Sequence, residues 1–120
     1  MNKTIIIAEA GVNHNGSLKQ AKKLIDVAVL AKVDYVKFQT FKAEKIVSPT
    51  ARKAEYQSKN MGNKENSQFE MLKKLELSDQ DHIELINYCE SKKIKFFSTA
   101  FDLDGIDYLD SLNFDIFKIP

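Results

Sequence analysis

Five polar residues stand near the ends of short apolar segments, where they could bind or transform a small ligand. Glu9 ends the segment TIIIAE, and Lys37 and Gln39 lie two positions apart in DYVKFQT. Thr99 follows KIKFFS, and Lys118 lies in DIFKIP. Two ammonium groups together suit a phosphate or carboxylate, and a neighbouring carboxylate can orient hydroxyls or move protons. One lysine alone is better explained by a side chain that extends into water, but this combination favours an anion site.

Four predicted β-strands and the helices between them must position these residues. The strand segments are rich in β-branched and aromatic residues and cover residues 4–9, 34–40, 93–101 and 115–120. Capping residues and apolar spacing predict helices from Ser17 to about Ala31, from Ser78 onward, and over residues 102–112. This alternation predicts an α/β fold with parallel strands and right-handed crossovers. The carboxyl ends of such strands form one rim where ligands bind, so the polar residues are expected to lie together.

The predicted fold is either an open sheet or part of a (β/α)8 barrel. The chain has 120 residues, about half of the ~250 that a full barrel needs. Residues 41–66 show no periodicity, and a segment of this length is usually a functional loop or disordered. The absence of a helix after the last predicted strand leads us to expect a truncated chain.

Composition indicates one ordinary globular domain. The formal net charge is +1, which gives no support for a nucleic-acid partner. Cys89 is the single cysteine, so it cannot form an internal disulfide, and we interpret it as a small core residue in a reducing compartment. No apolar run approaches the ~18 residues of a membrane span. These features favour a cytoplasmic protein.

The two histidines are weak candidates for chemistry. His14 lies in GVNHNG, where we expect a turn with an asparagine in the left-handed conformation and the imidazole on the surface. His82 follows Asp79 and Asp81 on a predicted helix, where we expect it to be solvated. A metal site needs three or more ligands, so no metal ligand is assigned in this chain.

Six collinear segments of the chain closely resemble the N-terminal half of the sialic acid synthase family, which includes N-acetylneuraminate and legionaminic acid synthases. The segments are IAEAGVNHNGSL, VKFQTFKAEKIV, KAEYQ, FEMLKKLELS, FFSTAFD and FKIP. They cover nearly the whole chain and are more specific together than any one motif. The resemblance implies that residues 1–120 are the N-terminal part of a TIM-barrel synthase domain. The remaining barrel and a small antifreeze-like domain would lie outside this chain.

The resemblance also implies a reaction and its residues. The family condenses phosphoenolpyruvate with an N-acetylated mannosamine-type sugar, releases phosphate and forms a nine-carbon 2-keto sugar acid. Catalytic roles would fall on Glu9, Lys37 and Lys118, with both lysines on phosphoenolpyruvate. The residues near the sugar would be Glu9, Gln39, Thr99, Phe101 and one loop asparagine, either Asn63 or Asn60. The segment 41–66 would form a wall or lid of the sugar pocket.

Cofactor and partner expectations also follow from the resemblance. A divalent metal, manganese or magnesium, is expected in the full-length enzyme, with its ligands outside this chain. A homodimer is expected at full length, without a nucleic-acid or membrane partner, and the fragment alone is expected to be inactive. Two alternatives remain open, namely another phosphoenolpyruvate-condensing enzyme of the aldolase type and a stand-alone α/β module that binds an anion without catalysis.

Overall fold

Three parallel strands alternate with helices in the computed structural model, which describes residues 2–48, 50 and 68–120. The elements are β1 (Ile7–Gly11), α1 (Leu18–Leu30), β2 (Tyr35–Thr40), α2 (Ala43–Ile46), α3 (Gln68–Lys74), α4 (Asp79–Ser91), β3 (Lys95–Ala100) and α5 (Leu103–Ser111). The strands pair in the order β1-β2-β3, and both pairings are parallel. The predicted α/β class is confirmed. None of the helices in the described ranges combines the length and hydropathy that a bilayer crossing requires.

Side-chain caps fix where the main helices begin. The hydroxyl of Ser17 accepts the backbone N–H of Gln20, and Ser78 forms a reciprocal capping box with Asp81. Both helix starts predicted from the sequence are confirmed. Asp102 caps α5 in the same way, since its carboxylate accepts a backbone N–H at 2.8 Å. Each cap typically stabilises its helix by about 1 kcal/mol and so favours a defined first residue for the helix.

The core lies between one face of the sheet and helices α1 and α4. It contains Val36, Phe38 and Phe96 from the strands, with Ile25 and Leu85 from the helices. The rings of Phe38 and Phe96 stack at a centroid distance of 5.4 Å. Because side chains alternate along a strand, the residues between these core positions must face the other way.

Cys89 belongs to the same core, as predicted. Its side chain is 1% exposed, and burial raises the pKa of its thiol to about 12. The thiol is therefore un-ionised at neutral pH and acts as a packing group.

The first strand differs from its prediction. A buried strand is expected over residues 4–9, but β1 begins at Ile7, and Ile5 and Ile6 are 57% and 54% exposed. The physical reason is position, because β1 is at the edge of the described sheet with β2 on one side. The backbone N–H of Ile6 is bound by the Asp34 carboxylate at 2.9 Å instead of continuing the ladder.

The predicted fourth strand over residues 115–120 is wrong, because this segment forms no strand. A strand needs ladder hydrogen bonds, and β3 in the described sheet pairs with β2 alone. The segment is held by a side chain instead. The carboxylate of Asp115 accepts hydrogen bonds from the Tyr35 hydroxyl at 3.1 Å and the Lys95 ammonium at 2.8 Å.

The long segment after β2 is partly described. It contains the short helix α2, which the sequence did not predict. Asn60 and Asn63 lie outside the described residues.

Candidate functional site

Four of the predicted site residues lie on the sheet face opposite the core, which we call the site face. It is defined by Glu9, Lys37, Gln39 and Thr99. The strand register pairs Glu9 with Lys37, and it pairs Gln39 with Thr99. Lys37 and Gln39 share this face because they are two residues apart, while Phe38 between them enters the core. The sheet therefore explains why polar residues alternate with core residues in β2.

Lys37 is the electrostatic centre of the site face. Its ammonium forms an ion pair with the Glu9 carboxylate and lies 3.4 Å from the hydroxyl of Thr99. The Lys37 side chain is 13% exposed, whereas that of Glu9 is 54% exposed. A largely enclosed cation thus has a solvent-accessible carboxylate beside it. An ammonium has three N–H donors, so these two partners leave capacity for an anionic ligand.

A β-bulge shapes the end of β1 next to these residues. The register shifts between Glu9 and Gly11, where one extra residue enters the strand. Gly11 has φ +53°, and a Cβ added there would lie 3.1 Å from Oε1 of Glu9 and 3.6 Å from Nε2 of Gln39. Glycine therefore provides both the backbone conformation and the space that the two side chains occupy. Sequence reasoning missed Gly11, although a glycine at a strand end is a signal for a bulge.

Phe101 and Lys118 border a different part of the molecule. Both line a cavity of about 560 Å³ beyond the carboxyl end of β3. The ring of Phe101 meets that of Phe41 edge-on at 6.2 Å, and 41% of Phe101 is exposed. The Lys118 ammonium donates to the carbonyl of Ile119. The expected position of Lys118 at the end of a strand is wrong, while its binding role stays a prediction.

His14 is buried, so the expected surface position is wrong. Its side chain has 0% exposure, and its Nδ1 atom accepts the backbone N–H of Gly16 at 2.9 Å. Asn15 has φ +51°, which confirms the predicted left-handed asparagine in this turn. The loop is covered because Gly16 packs directly on the backbone of Lys74 at the end of α3. Burial lowers the pKa of His14, which favours the neutral imidazole.

His82 is also buried, with 1% of the residue exposed, so the solvated position expected for it is wrong. Its imidazole bonds to the hydroxyl of Thr40 at 2.7 Å, and burial lowers its pKa. The expectation of a solvated side chain on this helix rested on the nearby acidic residues Asp79 and Asp81. The better signal was spacing, since His82 shares a helical face with Leu85 and Cys89, both of which are buried.

The described residues do not form a metal site by themselves. They contain no group of three or more histidine, cysteine, aspartate or glutamate side chains arranged to hold an ion. The ion pair of Glu9 and Lys37 is instead suited to a ligand that carries negative charge and hydroxyl groups.

A family model decides the relationship of this chain to known proteins. The NeuB family model matches residues 24–120, which include Lys37, Gln39, Thr99, Phe101 and Lys118. The chain belongs to the NeuB family. The NeuB match therefore contains β2 and β3, the two strands that supply most of the site face.

Two curated relatives of this NeuB chain carry the name N,N'-diacetyllegionaminic acid synthase. The chain is 53% identical over its full length to the N,N'-diacetyllegionaminic acid synthase of Campylobacter jejuni, of which it covers 36%. It is also 53% identical over 96% of its length to the enzyme of the same name from Legionella pneumophila, of which it covers 32%. The chain thus spans about a third of the length of these relatives.

A solved structure supports the fold assignment. The N-acetylneuraminic acid (sialic acid) synthetase of Leptospira borgpetersenii serovar Hardjo-bovis, crystallised with citrate, is 30% identical to this NeuB chain. The match has a TM-score of 0.75 and covers 98% of the chain and 36% of the synthetase. The three strands and their helices are therefore an arrangement found within a larger synthase, as expected for part of a barrel.

Proposed function

We propose that this NeuB chain supplies part of the active site of a synthase that condenses phosphoenolpyruvate with an N-acetylated mannosamine-type sugar. The products would be inorganic phosphate and a nine-carbon 2-keto sugar acid. The observation that supports this proposal most is the enclosed Lys37 ammonium beside the open Glu9 carboxylate, in a chain 53% identical to a diacetyllegionaminic acid synthase. One cation and one carboxylate on the same face suit one anionic and one hydroxylated substrate.

Lys37 is proposed to bind phosphoenolpyruvate. This substrate carries a carboxylate and a phosphate, and an ammonium is a compact partner for either. The positive charge of Lys37 is balanced by the Glu9 carboxylate. A binding anion would share the Lys37 ammonium with Glu9 or replace Glu9 as its partner, so the charge of Lys37 stays compensated during binding. Lys118 is proposed as a second cation for the same substrate, although it lines the cavity beyond β3 and has no strand position.

Glu9 is proposed to act on the sugar or on water. In the reaction, C3 of phosphoenolpyruvate forms a bond to the aldehyde carbon of the open-chain sugar, and the aldehyde oxygen becomes a hydroxyl. Water then adds at C2, and the bond between C2 and the phosphate oxygen breaks to leave a keto group and phosphate. Once the substrate anion accepts hydrogen bonds from the Lys37 ammonium, the Glu9 carboxylate can hold sugar hydroxyls or orient the attacking water. Alignment of two reactants can supply ~7–11 kcal/mol of the barrier.

Gln39, Thr99 and Phe101 are proposed to hold the sugar. Gln39 offers an amide next to the Gly11 bulge, and Thr99 offers a hydroxyl beside Lys37. The exposed ring of Phe101 offers an apolar surface. Asn63 or Asn60 is proposed as a further contact.

The remaining components are proposed from the family resemblance. A divalent metal, manganese or magnesium, is expected with ligands outside this chain. A homodimeric, cytoplasmic protein without nucleic-acid or membrane partners is also proposed.

Phosphate release by the gene product tests the proposed reaction. The assay contains phosphoenolpyruvate, manganese and one sugar at a time, with a mannose-type sugar carrying either one or two N-acetyl groups. We expect release that depends on the sugar, with preference for the doubly acetylated sugar because the similar synthases are named for a diacetylated product. A folded, full-length gene product, longer than these 120 residues, that releases no phosphate with any sugar would refute the proposal. It would favour another phosphoenolpyruvate-condensing enzyme or an anion-binding module.

A further inference from the structure

A buried chain of polar side chains joins strands β2 and β3 to the start of helix α4. Nε2 of His82 lies 2.7 Å from Oγ1 of Thr40, and that oxygen lies 2.7 Å from Oγ of Ser98. All three side chains are buried. The rings of Phe96 and Tyr108 meet the imidazole edge-on, with centroid distances of 6.4 and 5.4 Å. The imidazole of His82 is therefore fixed in orientation by both hydrogen bonds and ring contacts.

The direction of each hydrogen bond follows from one carbonyl group. Nδ1 of His82 lies 2.8 Å from the backbone oxygen of Ser78, which can only accept. Nδ1 therefore carries the proton, and Nε2 of the neutral ring accepts from the hydroxyl of Thr40. The Thr40 oxygen in turn accepts from the hydroxyl of Ser98. One neutral imidazole thus links the helix start to the ends of two strands.

The linked residues are direct neighbours of the site face. Thr40 follows Gln39 in β2, and Ser98 precedes Thr99 in β3. Gln39 and Thr99 are themselves register partners. Successive residues of a strand point to opposite faces, so fixing the buried hydroxyls on one face fixes the backbone that carries the two site residues on the other.

We propose that His82 is a positioning residue, which holds the carboxyl ends of β2 and β3 so that Gln39 and Thr99 are aligned for the sugar. The identity of the sugar in this inference rests on the proposed function, whereas the alignment of the strand ends does not. The role proposed for His82 needs no contact with either substrate. His82 acts through Thr40 and Ser98.

Two substitutions separate the two hydrogen bonds of the imidazole. In His82→Gln, the side-chain oxygen can reach the position of Nε2 and accept from Thr40. In His82→Asn, the shorter amide can donate near the position of Nδ1 but leaves the Thr40 hydroxyl without its acceptor. Cys89→Ala is the matched control, because Cys89 lies on the same helix, is 1% exposed and lies near the amino-terminal end of β3, away from the carboxyl ends of the strands.

Two measurements on the gene product test the proposal, and one of them is independent of activity. Hydrogen exchange of the backbone amides from Gln39 to Thr40 and from Ser98 to Ala100 reports on the strand ends. We expect faster exchange there in His82→Asn, with His82→Gln close to wild type. Phosphate release should show the KM for the sugar raised roughly tenfold in His82→Asn and much less in His82→Gln, with the KM for phosphoenolpyruvate nearly unchanged.

The outcomes distinguish the positioning role from a general loss of stability. If Cys89→Ala reproduces the same exchange pattern and the same KM change, or if His82→Asn leaves exchange at both strand ends unchanged, the positioning role is refuted. Equal effects in the Gln and Asn variants would also refute it. If wild-type protein releases no phosphate with any sugar, the proposed reaction fails, while hydrogen exchange still decides whether His82 holds the strand ends.

Discussion

Replacement of Gly16 by alanine should separate the loop after β1 from the end of α3. Gly16 has φ +76°, and a Cβ added there would lie 1.9 Å from the backbone oxygen of Lys74. The loop after β1 and the end of α3 must therefore move apart by more than an ångström, since the Lys74 oxygen belongs to the backbone and cannot rotate away. The loop also carries the buried His14, whose Nδ1 accepts the N–H of Gly16.

The expected cost has two parts. A left-handed conformation costs an alanine about 1 kcal/mol relative to glycine, and overpacking adds about 1–3 kcal/mol. Gly16→Ala should therefore lower the free energy of unfolding by about 2–4 kcal/mol. Asn15→Ala is the matched control, because Asn15 has φ +51° in the same turn. It should lose only about 1 kcal/mol, through the backbone conformation alone.

Urea denaturation of the gene product, followed by circular dichroism, measures both variants against the wild type. The difference between Gly16→Ala and Asn15→Ala isolates the contact with Lys74, since both variants introduce alanine at a positive φ. A loss in Gly16→Ala that is no larger than the loss in Asn15→Ala would refute the packing of this loop on α3.

Three further predictions concern the site and its supports. Gly11→Ala should displace the Glu9 carboxylate, because the added Cβ would lie 3.1 Å from Oε1 of Glu9. The substrate KM should therefore rise in the phosphate-release assay. Wild-type kinetics in this variant would contradict the bulge geometry. Ser78→Ala should lower the free energy of unfolding by about 1 kcal/mol through loss of the capping box, whereas Ser78→Thr should retain most of it in urea titrations. Burial lowers the pKa of His82 below 6.5. As the pH falls, this histidine is therefore protonated in the unfolded chain before it is protonated in the folded protein. Stability should decrease below about pH 6.5 by up to ~1.4 kcal/mol per pH unit from this group, and His82→Gln should show a shallower decrease.

The alternation of side chains in β2 could be predicted from sequence because the strand is covered on its core face. Phe38 enters the core, while Lys37 and Gln39 share the opposite face. Period-two patterning determines this arrangement directly. The juxtaposition of Lys37 with Glu9 followed from the rule that parallel strands bring their carboxyl ends together.

Sequence reasoning failed where the result depends on neighbours in space. The β-branched residues before Glu9 look like a buried strand, but Ile5 and Ile6 lie beside an edge strand and remain exposed. The segment that contains Lys118 has strand composition, yet composition cannot supply a ladder partner. His82 looked solvated because local charge dominated the interpretation, whereas its contacts with Thr40 come from a strand distant in sequence.

The most direct test of the site is the dependence of phosphate release on phosphoenolpyruvate in two lysine variants of the gene product. Lys37→Ala removes the enclosed ammonium, and Lys92→Ala removes a lysine at the end of α4, where it pairs with Asp26 of α1. We expect the apparent KM for phosphoenolpyruvate to rise at least about tenfold in Lys37→Ala, since a hydrogen bond to a charged group is worth about 1.5–3 kcal/mol. Lys92→Ala should stay within about twofold of wild type, because an exposed ion pair contributes little. Equal KM values in both folded variants would contradict the assignment of the site face as the phosphoenolpyruvate site.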